Sequence, residues 1–84
     1  MFPYDFEEEE RKRKLIEIMN NVRVTANLIQ NLNYSLNNLK KAMQNNLNIN
    51  NKGYMEDEII QLCNTASNSY ASLRNVISSL NNEI

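Results

Sequence analysis

The sequence predicts an all-α protein: two long helices forming a helical hairpin or coiled coil, set within a larger multi-helix bundle. Three observations predict it. Apolar residues recur every seven positions from Leu15 to Met43. An asparagine- and glycine-rich stretch, Asn45–Gly53, interrupts that repeat. A second seven-residue repeat then runs from Ile59 to Leu80. A sustained heptad is the mark of packed helices and matches no strand alternation.

The first helix is expected over about residues 5–46. Pro3 precedes it, where a missing N–H does no harm. Asp5 is placed to cap it, with acidic residues behind at the positive end of the helix dipole. Residues 7–14 read Glu-Glu-Glu-Glu-Arg-Lys-Arg-Lys. Glu7–Arg11, Glu8–Lys12, Glu9–Arg13 and Glu10–Lys14 are therefore spaced i, i+4 in the favourable Glu-first order, about 0.2–0.5 kcal/mol each in an isolated helix. This makes Arg11–Lys14 a self-paired helix start rather than a basic patch for DNA, tubulin or lipid. The main apolar row is Leu15, Val22, Ile29, Leu36 and Met43. A second row is expected three residues on, at Ile18, Thr25, Leu32 and Leu39.

A loop is expected over about 47–54, because Asn and Gly favour turns and left-handed backbone. Leu47 and Ile49 within it could pin it to an apolar surface. The second helix is expected over about 55–83, with Glu56, Asp57 and Glu58 in its first turn. Its rows are Ile59, Ala66, Leu73 and Leu80, joined by Leu62 and Val76, and a flanking set of Cys63, Tyr70, Ile77 and Ile84. So wide a stripe suits more than one neighbouring helix. The whole is one helical interaction unit, residues 1–84, with the short connection of an antiparallel hairpin.

Seventeen of the 84 residues are asparagine. Asn is a mediocre helix former, about 0.5–0.7 kcal/mol worse than Ala per interior site. Between Glu17 and Lys52 the only charges are Arg23, Lys40 and Lys41, so ion pairs offset little of that cost. A lone helix of this composition frays, and it needs packing to persist. The asparagines either fill tolerant surface positions or hydrogen-bond across helices; the first is favoured.

Composition excludes several functions. There is no histidine, so the commonest general base and metal ligand are missing. One cysteine allows neither an internal disulfide nor a Cys-rich zinc site. One glycine leaves no phosphate-binding loop. The expectation is no enzyme, no cofactor and no metal. Nine basic residues against ten acidic, net −1, give no nucleic-acid face. No apolar stretch approaches the ~20 residues that span a bilayer, and the acidic start is unlike a signal or transit peptide. A cytoplasmic or nuclear chain without membrane contact is expected.

Individual side chains fit structural roles. Cys63 is expected as a small buried apolar residue, with no cation near in sequence to activate it. Glu56–Glu58 lacks calcium-loop spacing and suits a helix start. Phe2, Tyr4 and Phe6 form either a docking peptide or a hydrophobic staple onto the first helix. The residues expected to bind partners are Leu15, Ile18, Val22, Ile29, Leu32, Leu36, Leu39, Met43, Ile59, Leu62, Tyr70, Leu73, Val76 and Leu80. Asn, Ser and Gln flank the seam where a homodimer would carry organised charges, which favours several different partners.

Glu9-Glu10-Arg11, then Leu15-Ile16-Glu17-Ile18, then Leu32-Asn33-Tyr34-Ser35-Leu36 resemble the first helix of a small subunit of the fungal DASH complex, the Dad-one family. Glu58-Ile59, Leu62 and Tyr70-Ala71-Ser72-Leu73 resemble that family's second apolar run. The resemblance covers about residues 9–39 and 58–73. It departs from the family at Ala66, where a tryptophan is expected, and in a longer loop and shorter tail.

The resemblance implies a structural subunit of a hetero-oligomer of small helical proteins. Such a complex forms rings on spindle microtubules and couples kinetochores to them in chromosome segregation, in the nucleus. Its partners would be other small helical subunits, with microtubules reached indirectly. The alternatives are a helical-hairpin partner of a WXG-like secreted protein, with Asn51-Lys52-Gly53 at the turn, and a helical regulator or antitoxin.

Overall fold

A computed structural model of the chain describes residues 5–46 and 49–84, and of Asn46 the backbone only. Phe2, Pro3 and Tyr4 before the first helix and Leu47 in the expected loop lie outside the described residues. Two helices, α1 (Phe6–Asn46) and α2 (Lys52–Glu83), pack side by side, and no strand occurs among the described residues. Arg11 meets Glu83 at the open end and Asn33 meets Ser67 midway, so the helices run antiparallel. The hairpin measures 76 × 14 × 13 Å.

Asp5 caps α1 as its position suggests: its Oδ1 accepts the Glu8 N–H at 3.0 Å, and its carbonyl accepts the Glu9 N–H at 3.1 Å. The ion pairs behind it have a different spacing from the one expected. Arg11 pairs with Glu8 at 3.5 Å and Arg13 with Glu10 at 3.2 Å, both i, i+3. Arg11 also reaches across to Glu83, 2.7 Å away, and donates to the Glu83 carbonyl at 3.3 Å. A guanidinium fork gains more from two acceptors on the second helix than from one exposed Glu a turn away. All these groups are well exposed, so the pairs contribute little each.

The break between the helices is shorter than the composition suggests, because α2 begins at Lys52. The Lys52 N–H bonds the Ile49 carbonyl at 3.2 Å, and the Met55 N–H bonds that of Asn51 at 3.1 Å. Asn51 takes the left-handed conformation, φ 64° and ψ 28°, which Asn tolerates better than most side chains. Asn51 thus makes the turn that Gly53 was expected to help make; Gly53 sits inside the first turn of α2, without positive φ. Glu56, Asp57 and Glu58 fall in the second turn rather than the first, and Lys52 Nζ lies 3.8 Å from Glu56.

The core is a seam one layer thick. Met19, Ala26, Ile59, Cys63, Ala66 and Ile77 are buried, and among the described residues no side chain is fully enclosed. On α2 the inward residues are the expected ones, with Tyr70, Leu73 and Leu80 half-buried between them. On α1 the row Leu15, Val22, Ile29, Leu36 and Met43 also turns inward. Its companion differs from the row expected. Ile18, Thr25, Leu32 and Leu39 are exposed, and the seam is completed four residues on, at Met19, Ala26, Asn33 and Lys40. Both choices keep a 3-4 rhythm, so periodicity alone does not select one. The row used contains Ala26, which is 3% exposed, and α2 contributes Ala66; small side chains let two backbones approach.

Gly53 stands in a helix with nothing within 4 Å of where a Cβ would sit. Gly53→Ala should raise stability by about 0.5–1 kcal/mol. A circular-dichroism melt should show Tm a few degrees higher; a lower Tm would mean that the turn depends on Gly53.

Candidate partner interface

The residues expected to bind partners fall into two sets. Leu15, Val22, Ile29, Leu36, Met43, Ile59, Tyr70, Leu73 and Leu80 line the seam inside the hairpin. Ile18, Leu32, Leu39, Leu62 and Val76 are exposed. The exposed set gathers on one side. Leu32 of α1 and Leu62 of α2 line a common groove, floored by Ile29, Leu36 and Ala66. A neighbouring groove runs between Thr25 and Ile29 of α1 and Thr65, Asn68, Ser69 and Ser72 of α2.

This side carries no charge through its middle. Along α1 it presents Ile18, Asn21, Thr25, Leu28, Leu32, Ser35, Leu39 and Ala42, spaced at helical threes and fours. Along α2 it presents Leu62, Thr65, Ser69, Ser72, Val76 and Ser79. The opposite side holds Arg23, Gln30, Asn37, Ser67 and Arg74. Six exposed large apolar residues, Ile18, Leu28, Leu32, Leu39, Leu62 and Val76, share this uncharged side, the pattern of an interaction surface; Ile16, Val24, Tyr34, Tyr54 and Ile60 are exposed elsewhere. Toward the open end Phe6, Glu7, Glu10, Arg11, Lys14, Leu15 and Ile18 of α1 line a third groove, where charges return.

Besides the Arg11–Glu83 pair, a polar contact joins the helices midway, at the exposed edge of the seam. Asn33 Nδ2 donates to Ser67 Oγ at 3.2 Å; among the described residues no other asparagine side chain bonds across. Asn37 donates to Asn33 on the same helix at 3.5 Å, and the other asparagines are mostly exposed. Cys63 is buried in the seam, in the role of a small apolar residue. Among the described residues no cluster of Cys, Asp and Glu could hold a metal ion, and no helix is long and apolar enough to cross a membrane.

Periodicity left some positions unread. Met19 and Ala26 belong to the seam, and Leu28, 63% exposed, belongs to the uncharged side. The signal for Leu28 was its place one turn before Leu32. No family model, no curated protein and no solved structure matches the chain.

Two neighbouring leucines separate seam from surface. Leu36→Asp should cost about 2–5 kcal/mol by putting a carboxylate in the seam, and dilute protein should lose most of its helicity. Leu32→Asp should leave the dilute chain as helical as wild type. Equal loss in both would place Leu32 inside the hairpin.

Proposed function

We propose that the chain is a non-enzymatic structural subunit of a hetero-oligomeric helical complex, and that assembly covers the uncharged side of its hairpin. One observation carries this reading: Ile18, Leu32, Leu39, Leu62 and Val76 are exposed together along that side. A hairpin with a one-layer seam holds little buried apolar surface of its own, so covering this side adds what the isolated chain lacks. The DASH-like residues suggest the form of the assembly. In that form the partners are other small helical subunits at the kinetochore and spindle, and microtubules are reached only through them. The secretion-partner alternative has less support, since Gly53 lies within α2 and not at the turn.

Affinity purification of the tagged full chain, followed by mass spectrometry, tests the reading. Several distinct small helical proteins should co-purify in fixed proportion, and a Leu32→Asp, Leu39→Asp double variant should lose them. Recovery of a single large enzyme, or of the same partners with the double variant, would overturn it. For the DASH-like form, the assembled complex should sediment with microtubules and the isolated chain should not.

A further inference from the structure

Between Leu62 and Val76 the uncharged side is asymmetric in bulk. On α1 it offers Leu28 and Leu32, which are 63% and 53% exposed. On α2 it offers Thr65, Asn68, Ser69 and Ser72, which border an open groove. These four stand at i, i+3, i+4 and i+7, the spacing of a hole that receives a knob from another helix. The chain's own α1 walls this groove with Thr25 and Ile29 but does not fill it. Leu28 lies between Thr25 and Leu32, level with the hole, on the outer flank of α1.

We infer that the occupant of this side is a second copy of the chain, related by a two-fold axis running along the hairpin. Such an axis lays α1 of each copy on α2 of the other without shifting either lengthwise. Leu28 of each copy then enters the Thr65–Asn68–Ser69–Ser72 hole of the other, and Leu32 meets Leu62. At the open end Arg11 reaches Glu83, so Lys14, one turn on, is level with Glu83 and meets the Glu83 of the second copy. A two-fold axis across the hairpin would instead set leucine on leucine and leave the holes facing each other. From Lys14 to Ala42 is about 42 Å of helix. Across the 14 Å width of the hairpin this gives about 600 Å² per copy, or about 1,200 Å² in all, the lower bound of stable specific interfaces. The inference rests on the proposed function only in taking this side as a docking surface: a second copy covers it, and other subunits join the four-helix dimer by its outer faces.

Sedimentation equilibrium of the purified full chain should show a dimer at micromolar concentration. Leu28→Asp should weaken it by about a hundredfold while leaving the dilute chain as helical as wild type, and Leu28→Met should retain it. In a Cys63→Ala background, a Leu28→Cys, Ser72→Cys double variant should oxidise to a covalent dimer, since the two sites lie on opposite flanks of one copy. A monomer at all concentrations, a dimer indifferent to Leu28→Asp, or cross-linking through Leu28→Cys alone would overturn the inference. A monomer held in a complex of other helical proteins would overturn it and leave the proposed function standing. A dimer that binds no other protein would do the reverse.

Discussion

The seam between α1 and α2 is the constraint on which everything else depends. Two long helices can enclose only what lies on the line between them, and here that line holds two alanines, one cysteine and a few larger apolar residues. No third layer closes over them, so even the most buried side chains keep some contact with water. Helices rich in asparagine bring little intrinsic helicity to compensate. Stability therefore depends on how many apolar residues the seam leaves over and on what covers them.

That dependence explains which parts of the fold were legible. The Leu15–Met43 row of α1 and the Ile59–Leu80 and Cys63–Ile77 sets of α2 turn inward as expected, whereas Leu62, Val76 and Ile84 stay outside. The companion row of α1 is ambiguous: Ile18 and Leu32 are more apolar than Asn33 and Lys40, and a count of hydrophobicity points to them. The hairpin does the opposite. It tucks in the row with Ala26, where the backbones can close, accepts Asn33 because Ser67 answers it, and leaves the leucines outside. The turn differs from expectation for a local reason: Asn51 takes the left-handed conformation, so Gly53 is free to sit inside α2. The Arg11–Glu83 contact joins residues far apart in sequence, and no spacing rule reaches that far.

The same inversion shapes the candidate site. A chain that hid its most apolar row would be a more stable hairpin with a bland surface. This one buries a row containing an asparagine and a lysine and presents leucines and small hydroxyl residues on an uncharged strip. A choice that looks poor for the isolated hairpin fits the proposed role of a subunit, in which another helix lies on the strip.

Cys63 gains a meaning from its place in that thin seam. As the sole thiol of the chain it is shut away only while the two helices stay together. With nothing else above it, parting the helices uncovers it directly, with no outer layer to remove first. The rate at which it takes up an alkylating reagent is thus a clock for hairpin opening, built into the sequence and read without any added label.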